Sequence, residues 1–327
     1  MKHLSVSRTA ALFLAAALLL SQNASALFGR KENRPAEGTP SARDLEVRTY
    51  RNIPCQGRFL ASDSEGEDLI FAVADQPKKG CVTIDGADFI YTPKENAVGG
   101  DRFTYTATDS AGNVSMPATV TVSIEKTKSG VTYADMGKSS AAVAAQELAE
   151  CGIFTGTKIG ERHYFEPQAE VSRSEFLAMA LETVGREVTA VTMTGFCDDE
   201  SIPTWAKAYA AAGVADGIVR GKTTEQGAAF KGDEPITFNE AATVLDRVLD
   251  MEDVDLDEWY ADRDAVPSWA AQAVGNMEAV SVLQVGSFGS AAMAKPVTRA
   301  DAAQMLSAMK TLLEGEDEGG TLFGLLK

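Results

Sequence analysis

Ser172-Arg173-Ser174-Glu175 opens the run SRSEFLAMALETV, residues 172–184, and the same grammar returns as TFNEAATVLDRVL at 237–249 and TRADAAQML at 298–306. In the first two runs a Ser or Thr is followed three residues later by Glu. That is a capping box: the hydroxyl accepts from the third helical N–H, and the carboxylate reaches back to the cap's own N–H. The third run uses the shorter Asp301. The caps lie 65 and 61 residues apart. Apolar residues follow at matching offsets: Phe176, Met179, Ala180 and Val184; Ala241, Val244, Leu245 and Leu249; Ala302, Met305 and Leu306. The spacing predicts three amphipathic helices, each burying the same stripe.

The register extends upstream of the caps. Asp198 precedes Trp205-Ala206 by seven residues and Asp262 precedes Trp269-Ala270 by seven; Asp135 begins a first copy in which Ala142 stands at the Trp offset. Gly217 and Gly221 bracket a four-residue step after Trp205, and Gly152 and Gly156 bracket the same step in the first copy. A Phe follows the second Gly by nine residues in both (Phe165, Phe230), and the cap follows that Phe by seven. A fixed period of this kind marks a repeat architecture.

An aromatic-x-Asp start, Trp-Ala, Gly-x-x-x-Gly, Phe and a Thr-Arg-Ala-Glu-like box, in that order, resemble the S-layer homology (SLH) repeat, with copies at 133–190, 196–250 and 259–312. The resemblance implies an all-α, pseudo-threefold assembly that binds secondary cell-wall polysaccharide, often pyruvylated and therefore anionic, in grooves between repeats. It implies Arg173 and Arg299 as ligand residues. Asp135, Asp198, Asp262, Trp205, Trp269, Gly152, Gly156, Gly217 and Gly221 would help to shape the grooves. Arginine at the first helical position stands beside free backbone N–H groups and the positive end of the helix dipole, and offers a fork to a carboxylate. Tryptophan can stack on a sugar face, and glycine lets backbone approach a ligand closely. Plainer readings stand beside these: a core Trp, a solvated Arg, glycines that only cap helices. The copies also depart from the pattern. The second has Phe238 at the Arg position, and the third has Ser281 and Val285 at the Gly positions.

Upstream of the repeats the periodicity is two. Leu69–Val73, Cys81–Ile84, Phe89–Tyr91, Phe103–Thr106 and Ala118–Ile124 are short β-branched and aromatic runs separated by turn signals, with Asp85-Gly86 placed for a tight hairpin. Residues 45–126 are expected to form a β-sandwich. Tyr91-Thr92-Pro93, Gly100–Tyr105 and Asp109 with Gly112 resemble a bacterial Ig-like or cadherin-like module. That family implies a spacer or adhesive unit, with a surface protein or glycan as partner. The whole chain thus reads as multidomain, an all-β sandwich followed by the helical repeats.

Lys2 and Arg8, an 11-residue apolar core from Ala10 to Leu20 and Ala24-Ser25-Ala26 read as a cleaved export signal over residues 1–26, too short to span a bilayer. Residues 27–44 read as a polar linker and 313–327 as a flexible tail. The formal charge is −17; removing the signal leaves 28 basic against 47 acidic residues, or −19. Such a field repels nucleic acid and anionic membranes, so an anionic ligand needs local cations. Export permits disulfides, and Cys55–Cys81 and Cys151–Cys197 are the pairs within regions, with free buried thiols as the alternative.

Enzymatic signatures are missing from the sequence. His163 is the one histidine after the signal, and there is no Gly-x-Ser-x-Gly, P-loop or His-Glu-x-x-His. The acidic run Glu252, Asp253, Asp255, Asp257 and Glu258 lacks calcium-loop spacing. No catalytic residue, metal ligand or cofactor is expected. The function implied is non-covalent anchoring to cell-wall polysaccharide at the cell surface, with an Ig-like module displayed; an S-layer array subunit and an adhesin acting through the sandwich are the alternatives.

Overall fold

Alternating side chains build the first layer of structure. In β7 (Asp88–Pro93), β8 (Gly99–Thr108) and β9 (Ala118–Glu125), every second residue is buried: Phe89 and Tyr91, Phe103 and Tyr105, Val120, Val122 and Ile124. The intervening residues face outward, as strand pleating requires. The structure is a computed structural model that describes residues 38–64, 66, 68–137, 139–259, 266–283 and 293–318. The signal segment and Asp262 lie outside the described residues, as do Val285 and most of the linker and tail.

β1 (Ser41–Ala42) pairs with β4 (Ala61–Ser62). A four-stranded sheet runs β2 (Leu45–Tyr50), β9, β8, β5 (Ile70–Asp75), with β2 parallel to β9. A three-stranded sheet runs β3 (Cys55–Arg58), β7, β6 (Gly80–Asp85). Asp85 pairs with Asp88 across the Asp-Gly turn, where Gly86 takes φ 59°. The core between the sheets is aromatic: the Phe59 ring stacks on Tyr105 at 4.3 Å and on Phe89 at 4.7 Å between centroids. The expected linker ends earlier than residue 44, because Ala42 packs against this core and Arg43 N–H donates to the Leu60 carbonyl.

The chain divides into two compact units after Phe165. The first therefore runs beyond the sandwich into the start of the repeat region. Its helix α1 (Ala142–Glu150) places Val143 against the sandwich core, and Arg48 Nη2 lies 3.0 Å from Glu147 Oε1, a carboxylate almost fully buried. A hairpin follows, β10 (Thr157–Ile159) with β11 (Arg162–Tyr164), and His163 sits in it with Nδ1 3.3 Å from the Thr155 carbonyl.

The second unit contains α2 (Arg173–Thr183), α3 (Thr204–Ala215), the hairpin β12 (Lys222–Thr224) with β13 (Gly227–Ala229), α4 (Phe238–Leu249), the short α5 (Leu256–Trp259), α6 (Ser268–Ala279) and α7 (Arg299–Glu318). The hairpins correct the all-α expectation. The tail is corrected as well, since α7 continues to Glu318. The acidic run 252–258 is partly helical rather than wholly linker, entering α5 at Leu256.

A closed ring organises this unit. The residue before each cap donates to its counterpart in another copy: Val171 N–H to Val297 O at 2.9 Å, Ile236 to Val171 at 2.9 Å, and Val297 to Ile236 at 2.8 Å. All three side chains are buried. Three like bonds head to tail make a pseudo-threefold junction. Each capping box forms as the sequence predicts, including the third, where Thr298 N–H donates to Asp301 Oδ2 at 3.0 Å.

Candidate functional site: a cationic groove drawn from three copies

The groove is assembled from loops and helix ends that the ring holds in place. Arg173 starts α2, Arg220 and Gly221 lie between α3 and β12, Lys222 opens β12, Glu240 and Arg247 are on α4, and Trp269 stands in the first turn of α6; together they line a pocket of about 340 Å³. Ile218, Val219, Thr243 and Val244 complete it. The box arginine of the first copy, the glycine turn of the second and the tryptophan of the third thus meet in one place. Trp269 is 58% exposed, so it is a surface platform and not a core residue.

Four cations face one carboxylate here, in a chain of net −17. Arg173 Nη1 lies 2.8 Å from Glu240 Oε1, Arg173 Nε donates to the Phe230 carbonyl at 3.0 Å, and the guanidinium carbon lies 5.9 Å from the Phe230 ring centroid. Lys222 Nζ stands 3.4 Å from Glu240 and 3.0 Å from Glu234. Burial pushes the Glu240 carboxyl upward, but the Thr237 N–H and the charges of Arg173 and Lys222 outweigh it and hold the group below its ordinary range. Arg247 Nη1 donates to the Ile218 carbonyl at 2.9 Å. Among the described residues neither Arg220 nor Arg247 has a carboxylate within ion-pair distance. Burial first, and then repulsion from Arg220, lowers the Arg247 pKa. Two like charges held near each other with little compensation favour an anion between them.

The sequence-expected residues separate into two groups. Arg173, Gly221 and Trp269 line the groove. Trp205 is 51% exposed at the start of α3 but does not line it, and Arg299 is paired with Glu166 at 2.5 Å. Asp198 is structural: its two oxygens accept from the N–H groups of Phe230 at 2.8 Å and Lys231 at 2.7 Å. Asp135 does the same for Phe165 N–H at 2.9 Å. Gly152 and Gly217 end α1 and α3 at φ 74° and 75° with open space around them, which is a helix-capping role. Gly156 and Gly221 are needed for close approach within the protein. A Cβ on Gly221 would stand 2.7 Å from the Phe196 ring and 2.8 Å from the Ala229 carbonyl, and one on Gly156 would stand 2.3 Å from the Tyr164 carbonyl.

One expectation is overturned. The helix-start donors are not free for a ligand. Arg173 N–H donates to Glu234 O and Ser174 N–H to Gly232 O; Phe238 to Lys295 and Asn239 to Met293; Arg299 to Ala169 and Ala300 to Pro167, all between 2.8 and 3.2 Å. The third donor of each helix goes to its cap hydroxyl. The threefold junction consumes these groups, so anion recognition falls to side chains.

Among the described residues no disulfide joins the four cysteines, which is the alternative that the sequence left open. Cys55 in β3 is buried in the sandwich core and Cys81 in β6 is exposed, and strand β7 runs between them, with Cys55 opposite Tyr91 and Cys81 opposite Thr92. Among the described residues no group of three or more His, Cys, Asp or Glu could hold a metal, and no helix is long and apolar enough to cross a membrane.

Arg220, Lys222 and Arg247 escaped the sequence reading. The signal was present as Gly217-Ile-Val-Arg-Gly-Lys222, two cations in a turn of an acidic chain. Arg247 lies nine residues beyond Phe238 and gives no local cue.

No curated protein matches this chain. Among solved structures it is similar to the endo-fucoidan hydrolase MfFcnA4 from glycoside hydrolase family 107, at 18% identity over 32% of this chain and 15% of that one, with TM-score 0.25. It is also similar to the fibronectin(III)-like modules of Clostridium thermocellum CbhA, at 18% identity over 27% and 48%, TM-score 0.21. A third is the SrpA adhesin of Streptococcus sanguinis, at 15% identity over 30% and 62%, TM-score 0.23. The chain spans only 15% of the hydrolase's length. Residues 37–124 match the family described as bacterial Ig domain, so the sandwich is a bacterial Ig-like domain.

Proposed function

We propose that this protein is an exported, non-enzymatic surface protein that holds an anionic cell-wall polysaccharide in the groove of Arg173, Arg220, Lys222, Arg247 and Trp269, and that carries a bacterial Ig-like domain outward. One observation carries this reading: four cations and an exposed indole converge on one pocket of a strongly acidic chain. A guanidinium pair recognises a carboxylate by charge and fork geometry, and the indole covers a sugar face. The SLH-like register of the sequence agrees with such a ligand, and the export signal and the Ig-like domain agree with a location outside the cell.

The test is co-sedimentation of the full chain with purified wall sacculi. Wild type is expected in the pellet, and the Arg220→Ala/Arg247→Ala double variant in the supernatant while retaining its circular dichroism. A folded double variant that pellets like wild type would falsify this assignment.

A further inference from the structure

A second pocket lies within the first unit, where the Ig-like domain meets α1. It measures about 120 Å³ and is lined by Arg51, Asn52, Ile53, Tyr133, Met136 and Gln146, with Ala142 at its edge. That is below the roughly 300–1,000 Å³ of sites that take drug-sized ligands, and suits a single ring.

Its polar groups are unevenly satisfied. Gln146 is 1% exposed, and its amide nitrogen is fully used: it lies 2.6 Å from Glu150 Oε1, 3.3 Å from Val131 O and 3.4 Å from Ser129 Oγ. Its amide oxygen accepts no hydrogen bond from the described residues. That oxygen is therefore open to a ligand hydroxyl in place of water. Arg51 is exposed beside it, and among the described residues its side chain has no ion-pair partner. The Tyr133 hydroxyl donates to the Phe154 carbonyl, so its ring, with Ile53 and Met136, presents apolar surface. An acceptor, a cation and apolar walls around one ring-sized space match a ring with C–H faces, hydroxyl donors and a carboxylate.

We propose that this pocket binds a single carboxylated sugar ring, of the hexuronate class, independently of the groove of the second unit. The probe is D-glucuronate, with D-glucose as the uncharged control, added to the full chain and followed by saturation-transfer NMR and calorimetry. Glucuronate is expected to bind at least about tenfold more tightly than glucose. Arg51→Ala is expected to lose about tenfold for glucuronate, which corresponds to about 1.4 kcal/mol. Ala142→Met, which adds volume at the pocket edge, is expected to abolish transfer. In the Arg220→Ala/Arg247→Ala background, where the groove has lost its guanidinium pair, glucuronate should still bind and Arg51→Ala should still cost about tenfold, which separates failure of this site from failure of the groove. Equal affinity for the two sugars, no transfer to wild type, or unchanged glucuronate binding by folded Arg51→Ala would each overturn the proposal. Arg51 is exposed and unpaired, so its variant folds even if Ala142→Met does not.

Discussion

Arg173 Nη1 lies 2.8 Å from Glu240 Oε1, so the arginine of one capping box is held by the glutamate of the next. Glu240 meanwhile accepts from Thr237 N–H at the start of its own helix. One carboxylate therefore caps a helix, joins two copies and forms part of a groove wall. Both side chains are mostly buried, at 11% and 18% exposure. Removing one partner of a pair this buried leaves a charge without compensation. Arg173→Ala is expected to destabilise the second unit by about 2–3 kcal/mol, discounted from the roughly 3–5 kcal/mol of a fully buried pair. Urea denaturation followed by Trp fluorescence would measure it, and a change below about 0.5 kcal/mol would remove the structural role.

The same carboxylate sets an acid limit. Its folded pKa is depressed below the unfolded value of about 4.3. A depressed carboxyl contributes stability above the unfolded pKa and loses it as pH falls through the folded pKa. Thermal unfolding should therefore show a falling midpoint below about pH 4.3 in wild type, and a shallower fall in Glu240→Gln. Parallel curves for the two proteins would count against it.

Much of this architecture was legible because helix starts are written locally. A cap, its partner three residues on and an apolar stripe are all contained in a dozen residues, and all three copies fold as that text says. The sandwich strands were legible for the same reason, through alternation. The groove was legible only in part. Arg173, Gly221 and Trp269 belong to three different copies and are brought together by the ring at Val171, Ile236 and Val297, which is a long-range relation with no periodic trace. The helix-start donors were misjudged because the residues that consume them, such as the Glu234 and Gly232 carbonyls, are backbone groups of another copy. The α1 contact with the sandwich was missed because Val143 looks like any repeat-helix residue.

Asp198 offers a direct contrast between holding the fold and holding a ligand. Its two accepted N–H bonds fix the backbone at Phe230 and Lys231, where Lys231 takes φ 56°. Hydrogen bonds to a charged group are worth about 1.5–3 kcal/mol each, with partial recovery from water. Asp198→Ala is expected to cost roughly 2–3 kcal/mol in denaturant midpoint analysis. At a temperature where the variant is fully folded, wall binding should stay within about twofold of wild type, equivalent to about 0.4 kcal/mol.

The cysteines give a simple chemical check. Cys81, Cys151 and Cys197 are exposed and Cys55 is buried, with burial raising its thiol to about 11. A disulfide-reactive chromophore added to the native chain at neutral pH should label three thiols quickly and the fourth only after unfolding. The intact mass should not change on reduction. A gain of 2 Da would restore the disulfide reading, with 2 Da standing for the two hydrogens a reduced bond takes up.

The two glycines of the second copy should differ in a way that isolates close approach from backbone sign. Both have positive φ, 75° at Gly217 and 76° at Gly221. Alanine in the left-handed region costs about 1–2 kcal/mol. Gly217→Ala meets nothing else, so it should lose about that amount. Gly221→Ala adds contacts at 2.7 Å with Phe196 and 2.8 Å with the Ala229 carbonyl, so the turn must move. Its loss should exceed that of Gly217→Ala by at least about 1 kcal/mol, the lower range for overpacking. The turn also carries Arg220 and Lys222 into the groove, so wall binding by folded Gly221→Ala should weaken while Gly217→Ala binds normally. Equal stability losses in the two variants would show that backbone conformation alone accounts for both glycines.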